Sequence, residues 1–302
     1  MFNQWKQWLE KILSFNIGNI FKMDMNNKIA DSIKDSNLFK YNKNENTNNI
    51  IQQNFNIAIL PNIDVDSSIK EAISLGNKNA QLAGAELQKL LKDNNIAVEQ
   101  IQRKISDPDY LYTIAKANNI AYLTTNVEKR RVLSDLIYNK FASDDEVDSS
   151  TLSLAIRCME NLTNSHLKLN AFFYLLRSKY LERITSLEEF VEFYDGYISK
   201  LVNIPCNKIA DIGTTLIGNG CAVTYTFGSS LEESFNKELA SYISEFLKEE
   251  NLSIQEQRQK NVIKQLNELW MRSGLTSAWP TAVGKCLAKT YLHNILNLDI
   301  DK

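Results

Sequence analysis

Turn-forming residues are scarce in this chain. Four prolines and ten glycines are spread over 302 residues, well below ordinary usage. So thin a supply argues against tight hairpins and for long helices. Histidine is rarer still, with His166 and His293 the two present. The four cysteines, Cys158, Cys206, Cys221 and Cys286, make no C-x-x-C pair and no zinc-ligand spacing, so no metal is expected. No stretch reaches the roughly 18 consecutive apolar residues of a membrane span. The first residues lack the unbroken apolar core and small-residue cleavage site of a secretory signal. A net charge of -2 supplies no global basic field of the kind that captures nucleic acid. G-x-S-x-G, H-E-x-x-H, Walker and dinucleotide signatures are missing. These absences point to a reduced, cytoplasmic protein that needs no cofactor, and the reading leans away from an enzyme.

The composition that remains is ordinary for a globular protein, with 44% hydrophobic and 23% charged residues. The length suits one large domain or two medium ones and buries a core without disulfide staples. The chain opens with "MFNQWKQWLEKILSF", which sets Trp5, Trp8, Leu9, Ile12 and Leu13 on one helical stripe. Three uses stand open for that stripe. It can dock on its own core or on a sister chain. It can lie in a membrane interface with Lys6 and Lys11 snorkelling, which would make the protein peripheral to the inner membrane. It can fill a partner's groove. Glu10 between the lysines weakens the basic face, and docking or oligomer contact is preferred.

A polar tract over about residues 37–56, "NLFKYNKNENTNN" within it, reads as a linker. In "IIQQNFNIAILP" the residues Ile51, Phe55, Ile57 and Ile59 share one parity, which predicts a short strand closed by Pro61. A lone strand needs a partner in this chain or in a second copy. Helical periodicity takes over from Asp66. Asp107, Pro108 and Asp109 form a helix start of cap, first-position proline and dipole-favouring acid. "VEKRRVLSDLIYNKFA" is a further helix, residues 151–181 read as one or two long helices, and Thr185 or Ser186 with Glu188 or Glu189 opens the next. "CAVTYTF" at 221–227 has strand composition. Its alternation places Cys221 on a face with Val223, Tyr225 and Phe227, as a structural thiol. Two helices follow, then a short extended piece and a last helix.

The expected architecture is mainly α: a multi-helix bundle with short strands near 50–60 and 221–227 and a winged-helix-like C-terminal end. Three regions are expected: 1–62 for oligomerisation or interaction, 63–204 helical, and 205–302 α+β but mostly helical.

Four motifs carry possible chemistry. "IADIGTTLIGNG" has the strand–D-x-G-T-T form of a phosphate loop in sugar kinases and actin-type ATPases, but no later Gly-rich segments accompany it. The plainer reading is a turn using glycine's positive φ. Cys221 and His293 are a conceivable thiol–imidazole pair. "DDEVD" at 144–148 lacks the spacing of a calcium loop and reads as a solvated connection. On the last helix Lys285, Lys289 and His293 recur every four residues, opposite Val283, Leu287, Tyr291 and Leu292 and just after Trp279. That stripe can touch phosphates, but three residues in a near-neutral region read better as a solvated face.

The order of features carries a resemblance. "NTNNIIQQNFNIAI", then "SDPDYLYTIAKANNIAYLTTNVEKRRVLSDLI", then "LNELWMRSGLTSAWPTAVGKCLAKTYL" is similar to an uncharacterised family of mostly helical bacterial proteins. It also resembles the abortive-infection alpha proteins, with a D-P-D helix start and a terminal L-T-x-x-G element. The similarity covers roughly residues 45–300. The Gly-Asp and Ile-Gln-Ala-Gly elements usual at the head of that family are absent, although Gln52 and Gln53 remain. The resemblance implies a bacterial, phage-defence setting and no known catalytic residues. The resulting expectation is a non-enzymatic protein acting by self-assembly and protein contact through Trp5, Trp8, Leu9, Ile12, Ile51, Phe55 and Ile57. The alternatives are a nucleic-acid-binding regulator using Lys285, Lys289 and His293, and a membrane-acting effector using the first helix.

Overall fold

The computed structural model describes residues 65–300. The Trp stripe and the strand near 50–60, with all seven interaction residues from Trp5 to Ile57, lie outside the described residues.

The described chain is mainly helical, with a single two-stranded antiparallel sheet among the described residues. The helices in order are α1 (Val65–Asp93), α2 (Val98–Ile105), α3 (Pro108–Leu123), α4 (Val127–Ala142), α5 (Glu146–Cys158) and α6 (Asn164–Arg177). Then come α7 (Leu187–Phe193), α8 (Ile209–Gly218), α9 (Lys237–Phe246), α10 (Ile254–Arg272) and α11 (Ala282–Leu296). Strands β1 (Ala222–Thr224) and β2 (Ala278–Pro280) pair with Val223 opposite Trp279.

Polar side chains at the N-termini set most helix starts. The Asp107 carboxylate accepts from the Asp109 amide at 2.8 Å with Pro108 in the first position. Asn126, Asp145, Ser186, Asn236 and Thr281 cap α4, α5, α7, α9 and α11. Ser253 and Glu256 form a reciprocal capping box on α10. Each such cap stabilises its helix by about 1 kcal/mol. Residues 151–181 divide into two helices, since α5 stops at Cys158 and Thr163 starts α6 afresh. Helix α7 continues through a wider π turn, Tyr194–Ile198, a feature without a sequence signature.

The chain forms two compact units, one of residues 65–85 and 95–125, the other of residues 86–94 and 126–300. In the first, Gly76 lies against the Tyr122 ring; a Cβ there would come 2.2 Å from a ring atom. Ala80, Ala83, Ile101, Ala117, Ile120 and Ala121 are buried there. The small residues on α1 allow this close approach.

The second unit is built around α6. Leu167 and every residue from Leu169 to Leu176 are buried, as expected of a helix apolar nearly all round. Helices α11 and α8 lie along it, and α4 and α5 pack against α11. The boundary expected at 204/205 therefore runs through the interior of one unit, with α6 and α11 packed together from opposite sides of it. Two glycines permit the tightest contacts. A Cβ on Gly284 would fall 1.9 Å from the Cys221 carbonyl oxygen, and one on Gly213 would fall 1.8 Å from that of Ser273.

That packing corrects the reading of "IADIGTTLIGNG". Most of it is the helix α8, with Ile209, Ile212, Gly213 and Leu216 buried, so it is neither a phosphate loop nor, at Gly213, a turn. The positive φ in this stretch is at Gly220, φ 73°. The alternating face proposed around Cys221 is corrected too. Cys221 is fully buried, whereas Val223, Tyr225 and Phe227 are exposed, because the strand spans only three residues and pairs on one side. At the C-terminal end α11 does follow a strand, but β1 and β2 are separated by α9 and α10 rather than joined as a hairpin wing. Helix α11 is also enclosed, with Leu287, Ala288, Thr290, Tyr291 and Leu292 buried.

Candidate functional site: a cation–aromatic cavity

The C-terminal end of α6 is where charge collects. Its last residue, Arg177, sits among rings, with the guanidinium carbon 4.9 Å from the Trp279 ring centroid and 5.3 Å from that of Trp270. One terminal nitrogen, Nη2, donates to the Thr276 carbonyl at 2.5 Å. Nε is buried and has no hydrogen-bond partner. Burial pulls the Arg177 pKa down, with Glu233 opposing, yet a guanidinium starts so high that it keeps its charge. Trp270 is itself fixed. It stacks on Phe173 with centroids 6.1 Å apart, and its indole donates to the Ser229 carbonyl at 3.0 Å. Thus the ring behind Arg177 is fixed, although Trp270 itself does not line the cavity.

Beyond Arg177 the chain turns through Lys179 and Tyr180 into the 3₁₀ turn Leu181–Arg183, where the Arg183 guanidinium lies 5.2 Å from the Tyr180 ring centroid. From the other side β2 presents Trp279 and α11 presents Lys285. These surround a cavity of about 260 Å³ whose lining, among the described residues, includes Arg177, Lys179, Arg183 and Lys285 and no carboxylate side chain. Lys179 and Lys285 have no ion-pair partner among the described residues. Trp279 is 47% exposed, so a ring face remains open to a ligand. Like charges gathered on one cavity repel one another, so an anion is favoured there. Guanidinium forks suit phosphate and carboxylate, and tryptophan suits a flat ring. Chemically the lining offers donors and stacking faces.

The lysine–histidine stripe is thereby divided. Lys285 belongs to the cation cavity. Lys289 and His293 line a second one, of about 330 Å³, with Asp135, Asn139 and Asn294. The charge there is mixed. Burial pushes the Asp135 carboxyl up, opposed by Asn294, His293 and Asn139, which donates to it at 2.9 Å. Cys286 is raised to about 11, first by burial and then by Asp135 and Asp148.

Cys221 and His293 are not brought together. The Cys221 carbonyl abuts Gly284 in the first turn of α11, and His293 lies more than two turns further on. His166 is engaged at the start of α6, where its Nδ1 is 2.7 Å from the Thr163 hydroxyl. Burial, with Lys129 adding, lowers its pKa. In "DDEVD" Asp145 caps α5, accepting from the Asp148 amide at 2.9 Å. Among the described residues no cluster of His, Cys, Asp and Glu could hold a metal, and no helix is long and apolar enough to cross a membrane.

Sequence reasoning named Trp279 and Lys285 but missed Arg177, Lys179, Tyr180 and Arg183. The signal is the basic–aromatic run "RSKYLER" at 177–183. It lies about a hundred residues from Trp279, and tertiary contacts of α6 with β2 and α11 bring the two together.

The class is a mainly helical protein with a cation–aromatic cavity at the end of its central helix. The model of an uncharacterised protein family matches residues 70–264, more than half of the chain, and the chain belongs to that family. Nothing in the match links it to the abortive-infection proteins. No curated protein and no solved structure matches the chain.

Proposed function

We propose that this is a non-enzymatic bacterial binding protein of a phage-defence system. In this reading it takes up a nucleotide-type anion, a phosphate joined to a flat ring, in the cation–aromatic cavity and acts by self-assembly and protein contact. The observation that carries the ligand class is the convergence of four cationic side chains, with no carboxylate among the described residues of the lining, on one cavity faced by Trp279 and Tyr180. The defence setting rests on the sequence resemblance to abortive-infection alpha proteins, and the assembly on the two apolar segments within residues 1–62. The cavity volume, about 260 Å³, falls just below the range for drug-sized ligands, so one nucleotide unit is the size supported.

A second reading has its own support. The half-exposed Trp279 and Lys285 are the components with which single-stranded nucleic acid is held without sequence readout, and in that case the ligand is one unit of a strand. Titration of the full chain with adenosine and guanosine mono- and diphosphates and with an eight-nucleotide single strand, followed by tryptophan fluorescence, separates the two. Free nucleotide binding, lost in R183E/K285E with the fold intact by circular dichroism, is the expected result. Strand binding alone with a steep salt slope selects the second reading. No binding of either class, or binding indifferent to the double substitution, removes the cavity from consideration.

A further inference from the structure

The cation–aromatic cavity has a neighbour. Ile300 lines it and also lines the second cavity, of about 330 Å³. Helix α11 borders both. Lys285 faces the first, while Lys289 and His293, four and eight residues further on, face the second. Those eight residues of helix span about 12 Å at 1.5 Å per residue. The end of α11 sets Ile300 at the boundary. Asn297 takes the left-handed conformation, φ 54°, and its amide donates to the His293 carbonyl at 3.1 Å. This is a left-handed helix stop. The Leu298 amide then donates to the Leu292 carbonyl at 3.0 Å, and the Leu298 side chain is buried, so the chain leaving α11 is tied back on the helix.

The second cavity has a different chemistry. Asn94, Asp135, Asn139, Thr290 and Asn294 line it. Asp135 is only 8% exposed, and its Oδ2 accepts from Asn139 Nδ2 at 2.9 Å. The Asn294 amide nitrogen is buried without a hydrogen-bond partner, which is uncommon for a buried donor and leaves it available to a ligand oxygen. Amides, a hydroxyl and a carboxyl set donors and acceptors side by side, and a sugar hydroxyl is both at once. Asp135 and Asp299 disfavour a further phosphate in this half. A second flat base would find Tyr138 here, where the cation cavity offers Tyr174, Tyr180 and Trp279. The volume lies within the range of about 300–1,000 Å³ usual for small-molecule sites.

We propose that the two cavities are halves of one site whose ligand is a nucleoside diphosphate joined to a sugar. The base and diphosphate take the cation–aromatic half, with Lys289 continuing the line of cations from Lys285, and the sugar takes the amide-lined half. Ile300, common to both linings, stands where the ligand passes from one half to the other. The first half rests on the nucleotide reading proposed above. The sugar half rests on the lining of the second cavity and on the wall that the two share.

The test titrates the full chain calorimetrically with ADP-glucose and GDP-mannose against ADP and GDP. Each conjugate should bind about ten-fold tighter than its parent diphosphate, as two or so neutral hydrogen bonds to the sugar allow. In D135N, which keeps an oxygen for Asn139, and in N294A that advantage should largely disappear, with ADP and GDP bound as before. R183E/K285E should weaken conjugate and parent alike. The ratio of conjugate to parent in the unaltered chain needs no substitution, so it decides the matter even where a variant does not fold. Conjugates bound no tighter than ADP and GDP would overturn this proposal and leave the nucleotide reading standing, whereas binding of neither would overturn both. Diadenosine diphosphate bound tighter than ADP-glucose would put a second nucleotide in place of the sugar and overturn the assignment. So would a conjugate advantage that D135N and N294A both leave intact.

Discussion

At single positions, glycine does most to decide how this chain packs. Gly213 and Gly284 lie inside helices where a Cβ would meet a backbone carbonyl at 1.8 and 1.9 Å. The obstructing atoms are main chain and cannot rotate away. Gly284→Ala should therefore force α11 off Cys221 and lower the unfolding free energy by about 1–3 kcal/mol, the usual cost of overpacking, as read from urea midpoints. Gly218→Ala, with nothing within 4 Å, should be nearly neutral in the same titration. This is also where the sequence misleads most. A glycine needed for positive φ and a glycine needed for absent bulk are the same letter, so Gly213 read as a turn when it serves a helix crossing. Asp135 gives a second residue-scale test. Its carboxyl is pushed up mainly by burial, so the folded state favours the protonated form over the unfolded state. The stabilisation this gives is complete at acid pH, below the unfolded carboxyl range, and is lost as pH rises through the raised folded value. Asp135→Asn keeps an oxygen for Asn139. It should raise the denaturant midpoint at pH 7 and show no advantage below about pH 3, where the unfolded carboxyl is also protonated.

Among elements, helix starts were the most legible feature and helix contacts the least. Asp107–Pro108 and Ser186–Glu189 announced their helices because a cap is local chemistry, complete within four residues. The π turn at Tyr194–Ile198 and the helix in "IADIGTTLIGNG" were hidden. The first depends on accommodating one extra residue per turn, the second on burial against α6 and Ser273, and neither is a local property. The cavity was legible only in part for the same reason: Lys285 and Trp279 share one segment, while Arg177 and Arg183 join them through tertiary contact. One hydrogen-bonded node ties three of these helices. Tyr291 on α11 donates to Glu128 on α4 at 2.6 Å, and Asn164 on α6 donates to the same carboxylate oxygen at 2.7 Å. Although burial is the largest influence on Glu128 and acts upward, these bonds and nearby Lys168 and Arg131 together bring its pKa below the usual carboxylate value. A depressed acid contributes stability that is present above the unfolded pKa and lost as pH falls through the folded one. Tyr291→Phe should cost about 1.5–3 kcal/mol at pH 7, the range for a hydrogen bond to a charged group. The cost should shrink as the pH falls below the usual carboxylate range and Glu128 becomes neutral in both proteins. An unchanged difference across that range would mean that the hydroxyl matters through packing rather than through the carboxylate.

For the whole molecule, the question is how the described body relates to the segment expected to join copies. Residues 126–300 hold a continuous core in which Phe172, Phe173, Phe190, Phe246 and Trp270 are all nearly or fully buried, and residues 95–125 with the first part of α1 form a further compact unit. In the sequence, residues 1–62 carry Trp5, Trp8, Leu9 and Ile12 at the spacing of one helical stripe and Ile51, Phe55 and Ile57 at the alternation expected of one strand face. Burying two indoles of about 150–250 Å² each at about 25 cal/mol per Å² is worth several kcal/mol, enough to hold an assembly. A chain lacking residues 1–62 should therefore fold, with an unchanged helical spectrum and cooperative melting, and should have the mass of a monomer by light scattering. The full chain should be heavier and should dissociate on dilution. Trp5→Ala with Trp8→Ala should reproduce the truncation if the helical stripe makes the contact, and should leave the mass unchanged if the strand near 50–60 makes it by pairing with its copy. A truncated chain that keeps the full-length assembly state would transfer the interface to residues 65–300. Capture of the full chain by lipid vesicles, lost in the double tryptophan variant, would assign the stripe to a membrane surface instead of a sister chain.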